Sequence, residues 1–126
     1  MIHGIGIDVV EVARMQVWLD KPEILNRYFF PAELADIRSR GDSAVLSLAA
    51  RFAAKEAYGK ALGTGMRGIR LKDIQVQNDK HGKPEMFLHG TAAEALRRSG
   101  AWRVHLSMSH EREHALAMVV IETRGE

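Results

Sequence analysis

Residues 51–65 read RFAAKEAYGKALGTG, a run of Ala, Phe and Tyr that carries Lys55, Glu56 and Lys60 through its middle. At about 3.6 residues per turn, Leu48, Phe52, Glu56 and Gly59 fall near one helical face, and Ala50, Ala53, Ala57 and Ala61 near the opposite one. A helix that is apolar on opposite faces needs packing partners on both, so the spacing predicts a long, central, buried helix stopped at Gly63-Thr64-Gly65. A carboxylate inside such a helix is costly unless it is paired, hydrogen-bonded or bound to a cation. Glu56 and Lys60 are one turn apart, and that spacing alone equally suits an ordinary salt bridge.

The rest of the chain frames that helix. With 126 residues, 46% of them apolar and 27% charged, the expectation is a single domain spanning residues 1–126. The absence of Cys removes disulfide scaffolds, thiolate zinc sites and thiol nucleophiles. A net charge of +2 does not call for nucleic acid. Neither a membrane-length apolar run nor a signal-peptide pattern in MIHGIGIDVV is visible, so a cytoplasmic protein with no membrane partner is expected. Charge is uneven, however: Arg51, Lys55, Lys60, Arg67, Arg70 and Lys72 face only Glu56 between residues 51 and 72. Such a segment suits a phosphate-rich ligand, or forms a solvated basic face.

Periodicity and turn residues divide the chain into short elements. Ile2–Val10 is β-branched with Gly4 and Gly6 interspersed, which predicts a strand approached closely by another backbone. Glu11–Leu19 reads as a helix ending near Pro22, and Pro31 opens another through Arg38. Asp42 or Ser43 is the expected N-cap of the long helix. Residues 74–78 and 84–88 read as strands about the Asp79-Lys80-His81-Gly82 turn, and Thr91–Ser99 as a helix stopped by Gly100. Val104–Ser109 and Ala115–Glu122 close the chain as strands on either side of HEREH. The order predicts an α+β fold, a long central helix against a mostly antiparallel sheet.

Asp8 is a second acid among apolar residues, inside GIGIDVVEV. It could cap the helix that follows. Two carboxylates in apolar elements from distant parts of the chain, with a Lys one turn from one of them, also match the needs of a phosphate-bound Mg²⁺. That ion takes one or two carboxylates together with waters and phosphate oxygens.

GIGIDVVEVAR, RFAAKEAYGKALGTG, the HGKP turn and VHLSMSHEREHALAMVVIE, in that order, resemble the holo-acyl-carrier-protein synthases, the short bacterial class of 4'-phosphopantetheinyl transferases. The resemblance runs nearly end to end. It implies transfer of the phosphopantetheine arm of coenzyme A to a serine of acyl carrier protein, in fatty-acid biosynthesis, by a homotrimer with sites between subunits. By motif match, Asp8 and Glu56 would be the Mg²⁺ ligands and Lys60 would lie against the pyrophosphate. Arg51 and His110 would bind the nucleotide end, with His110 also a candidate base. Gly82, Lys83 and Pro84 would line the adenosine side, and Gly63 and Ser109 would complete the coenzyme A contacts. His81 stands where Asn is expected before GKP. Arg14 matches the family's carrier-facing arginine, and charge adds Lys21 and Arg27 around exposed-looking Met15 and Trp18, a combination suited to an acidic partner.

Two other readings use the same residues. HEREH fits the HExxH zinc pattern, which requires a helix, whereas the flanking alternation predicts two strands joined there. His105, on the Ser107 face, is then expected to be a hydrogen-bonded structural residue. A non-catalytic adaptor for acidic partners would use the basic segment without Mg²⁺ or coenzyme A.

Overall fold

The computed structural model describes residues 1–124. Strand β1 (Ile2–Glu11) pairs antiparallel with β5 (His114–Thr123), which pairs on its other side with β4 (Ala101–His110), giving the order β1-β5-β4. Asp8 lies opposite Ala117, and Ala117 opposite Met108. Strands β2 (Ile74–Asn78) and β3 (Pro84–Leu88) form a separate antiparallel pair. The α+β expectation is borne out, with the long helix α4 (Ala44–Leu62) laid across the inner face of the three-stranded sheet.

Gly4 and Gly6 make that approach possible. A Cβ added at Gly4 would lie 2.0 Å from the Ala61 carbonyl oxygen, and one at Gly6 would lie 2.1 Å from that of Ala57. Both obstacles are backbone, so any side chain there would push the helix from the strand. Along α4 every residue from Leu48 to Leu62 is buried except half-buried Glu56 and exposed Lys60. The helix ends at Gly63, whose φ of 89° is the left-handed conformation glycine adopts readily. Helix α5 (Gly90–Arg98) also lies where periodicity places it.

The segment between β1 and α4 departs from expectation. The predicted helix over 11–19 is a short α1 (Val12–Gln16) continued by a 3₁₀ turn (Val17–Asp20). A further helix, α2 (Pro22–Tyr28), follows before α3 (Pro31–Arg38). Pro22 is not only the stop but the opening residue of α2, because a proline at the first helical position gives up no needed donor. Ser43 stands at the N-cap position of α4, as expected, but makes no side-chain capping bond: it closes a 3₁₀ turn with Asp42, and its Oγ donates to the Arg40 carbonyl. Met15 is fully buried rather than exposed, while Trp18 stacks on Tyr28 and sets its edge against Phe52.

The sheet's outer face is unusual. Ile5, Ile7, Val9 and Met118 are 44–58% exposed, an apolar stripe across two neighbouring strands. Monomeric proteins seldom leave such a patch in water. No helix of the described residues is long and apolar enough to cross a membrane.

Candidate active site

Strand alternation and the β1–α4 contact bring Asp8, Glu56 and Lys60 together. Asp8 lies on the α4-facing side of β1, in step with Gly6 and Val10, and Lys60 Nζ donates to its Oδ1 at 2.9 Å and to the Ile7 carbonyl at 3.0 Å. The lysine thus pairs with Asp8 across 52 residues rather than with Glu56 one turn away. Asp8 also does not cap α1, whose N-cap is Glu11 without a side-chain bond. Burial, and next the Asp8 carboxylate, push the Glu56 carboxyl above its ordinary range, with Lys60 and Arg14 pulling the other way. The two acids repel each other, and Glu56 carries a raised pKa in spite of Lys60 and Arg14, so a cation bound between the carboxylates would relieve that repulsion. Among the described residues no group of three or more His, Cys, Asp or Glu gathers as a metal cage. Mg²⁺ needs only one or two carboxylates when phosphate oxygens and water complete its shell, so the donor set fits that ion.

A second constellation forms on another side of α4. Arg51, Arg40, His110, Gly82, Pro84 and Asn78 line a groove of about 350 Å³. Arg51 is almost completely buried: Nε donates to the Val76 carbonyl at 2.9 Å, Nη2 to Asp36 Oδ2 at 2.5 Å, and Nη1 to Ser47 Oγ. The 79–83 turn is organised by Asp79, whose Oδ1 accepts from the His81 and Lys83 amides. Lys83 and Ser109 are not among the residues of this groove; Ser109, one residue from His110, falls on the opposite face of β4. His81 is exposed in the turn, and Gly63 caps α4 on the Lys60 side. Five residues along a helix turn the backbone by about 140°, so Arg51 and Glu56 face different directions within one chain.

Charge pattern alone misassigned Lys55. It belongs to no ligand site but is buried against Glu33, with Nζ 2.7 Å from Oε1 and further bonds to the Leu71 and Ile74 carbonyls. Burial pushes its pKa down to about 8, against the pull of Glu33. Glu33 was not legible as a site residue, although it ties three elements: it also accepts from the Phe30 and Val76 amides. Its one sequence signal is its position three residues after Phe30, at the first turn of a helix opened by Pro31.

The remaining candidates lie apart. Arg14 projects from α1 over the Phe52 ring at 5.7 Å, beside the Glu56 cluster, whereas Lys21 stands at the N-cap of α2 and Arg27 in its last turn, over Tyr28. His110 ends β4 and His114 opens β5, with residues 111–113 as the connection and His114 Nδ1 2.8 Å from Glu111 Oε1, so the two histidines share no helical face. His105 is hydrogen-bonded, to Glu122 at 2.8 Å, on the exposed side of the sheet.

Residues 4–119 match the 4'-phosphopantetheinyl transferase superfamily. The holo-[acyl-carrier-protein] synthase of Treponema denticola is 54% identical over 97% of this chain and 99% of its own length. That of Trichlorobacter lovleyi is 51% identical over 97% and 98%. Among solved structures, the holo-[acyl-carrier-protein] synthase of Neisseria meningitidis superposes with a TM-score of 0.88 at 40% identity, covering 98% of this chain and all of its own. The Bacillus anthracis enzyme, solved in complex with CoA (3',5'-ADP), gives 0.82 at 38% identity, covering 98% of both chains. With the acidic pair, its lysine and the arginine-walled groove in place on this shared fold, the chain belongs to the holo-[acyl-carrier-protein] synthases of the 4'-phosphopantetheinyl transferase superfamily.

Proposed function

We propose that this chain transfers the 4'-phosphopantetheine group of coenzyme A to a serine of apo acyl carrier protein, with Asp8, Glu56 and Lys60 around the reacting pyrophosphate and the Arg51 groove at the nucleotide end. The observation that carries this reading is the meeting of Asp8, Glu56 and Lys60 where β1 crosses α4, in a protein whose relatives bear that activity. The serine oxygen forms a bond to the β-phosphorus, the pyrophosphate P–O bond breaks, and adenosine 3',5'-bisphosphate leaves. Asp8 and Glu56 would hold Mg²⁺, which supplies charge neutralisation and in-line alignment of the phosphates. Lys60, half exposed and so free to leave Asp8, neutralises charge as it grows on the departing phosphate. Arg51, fixed at three nitrogens, offers its remaining N–H groups to the nucleotide's phosphate beside His110. Glu56 and His110 are the two candidate acceptors for the serine proton, and the pH–rate profiles of Glu56→Gln and His110→Asn distinguish them.

Because α4 separates the two constellations, one complete site draws them from two copies, assembled as a homotrimer through the apolar stripe of Ile5, Ile7, Val9 and Met118. Residues 1–126 act as one domain within it. Arg14 faces the acidic carrier protein beside the Glu56 cluster, with Lys21 and Arg27 extending the basic margin. The enzyme works in the cytoplasm, where it matures carrier proteins for lipid synthesis. The test is intact mass of apo acyl carrier protein after incubation with coenzyme A and Mg²⁺. A gain of one phosphopantetheine, lost with EDTA, is expected, and no gain with a competent carrier protein overturns the proposal.

A further inference from the structure

Asp36 lies on α3, outside every residue assigned above, yet both guanidiniums on the groove wall converge on one of its oxygens. Oδ2 accepts from Arg51 Nη2 at 2.5 Å, from Arg40 Nη2 at 2.9 Å and from Arg40 Nε at 3.1 Å. The two arginines differ in how they are held. Arg51 has additional anchors in Val76 and Ser47 and is buried, but the Arg40 side chain is 35% exposed and hydrogen-bonds only to Asp36 among the described residues. Both line the groove that also contains His110 and Gly82. A guanidinium has five N–H donors in a rigid fork, so an arginine held along one edge still presents others to a ligand. Burial raises the Asp36 carboxyl, and the hydrogen bonds and charges of Arg51 and Arg40 more than offset it, so the carboxylate is ionised when the groove is used.

We propose that Asp36 is a positioning residue: it holds Arg40 and Arg51 side by side as a preset seat for a terminal phosphomonoester, and so determines how strongly the enzyme prefers a nucleotide carrying that group over one lacking it. This rests on the reading of the groove as the nucleotide end of the coenzyme A site. A preset seat binds more tightly because Arg40 need not be ordered when the ligand arrives.

The experiment compares steady-state transfer from coenzyme A and from 3'-dephospho-coenzyme A by the wild type, Asp36→Asn, Asp36→Glu and Arg51→Ala. Asp36→Asn is expected to raise KM for coenzyme A about tenfold, the effect of losing a charge-assisted hydrogen bond, with little change in kcat. Its KM for the dephospho substrate rises less, so the preference narrows, and Asp36→Glu recovers part of it. A general loss of folding would instead lower kcat for both substrates equally and overturn the proposal. So would tighter binding of coenzyme A by Asp36→Asn, which would make Asp36 a competitor of the phosphate. Preference lost in Arg51→Ala but kept in Asp36→Asn overturns the role of Asp36 alone. Absence of preference in the wild type, or its persistence in Arg51→Ala, defeats the reading of the groove and the proposal with it.

Discussion

A charge inside an apolar element has a cost that its function must justify, and at Glu56 that cost is measurable. Burial first and Asp8 second raise its pKa, so the ionised form is the one the fold disfavours; the penalty is fully present above the raised pKa, declines as pH falls below it, and is gone below the ordinary carboxylate pKa. Glu56→Gln should therefore abolish transfer and, in EDTA at neutral pH, melt at a higher temperature than the wild type. That difference should shrink as pH falls through the raised pKa of Glu56. Thermal melts across pH, paired with the intact-mass assay, check both halves. Asp8→Ala should abolish transfer with the fold retained, and Lys60→Ala should lower kcat more than nucleotide affinity, because its charge matters most as the leaving group departs. Lys55 and Glu33 have the opposite character. Glu33→Gln would leave a buried ammonium without its counter-charge, a loss of about 3–5 kcal/mol by urea unfolding.

Among the elements, the β1–α4 contact places the chemistry. Gly6 lets the helix backbone approach the strand, and Asp8 is the next residue on that same side of β1. Gly6→Ala should cost about 1–3 kcal/mol through overpacking, and should also reduce transfer by moving Asp8 from Glu56. Denaturant curves and turnover on one preparation test the coupling. Most elements were legible locally: alternation marked β4 and β5, the Asp79–Gly82 turn marked β2 and β3, and Gly63 marked the end of α4. The α1–α2 region was not, because a short helix, a 3₁₀ turn and a helix opened by Pro22 produce no sustained period. Met15 reads as exposed beside Arg14 yet is buried, since the side of α1 that packs on α4 depends on how the short helix is docked.

At the scale of the whole molecule, Arg51 and Glu56 lie on different sides of α4, and the proposed assembly of one site from two copies can be tested directly. Ile7→Glu, on the exposed apolar stripe, should yield monomers by light scattering and lose transfer, although Ile7 touches no proposed substrate group. Mixing and co-refolding inactive Asp8→Ala with Arg51→Ala, assayed at a coenzyme A concentration too low for Arg51→Ala alone to turn over, should restore transfer at roughly a quarter of the interfaces, those that combine an intact half from each chain. No recovery would place each site within a single copy.

The amino-acid sequence by itself determined most element types outside the α1–α2 region, the α+β class, the family, and Asp8, Glu56 and Lys60 as candidates. Those signals are local: period, turn chemistry, ordered motifs, and charges embedded in apolar runs. Tertiary structure alone decided the partners. Lys60 takes Asp8, 52 residues away, instead of Glu56 one turn away; Lys55 is neutralised by Glu33, 22 residues away; and Asp36, besides its i,i+4 neighbour Arg40, takes Arg51, 15 residues away. Helical spacing offers a lysine its neighbours within one turn, but which carboxylate it meets depends on how closely two backbones pack, and here two glycines in β1 permit that approach.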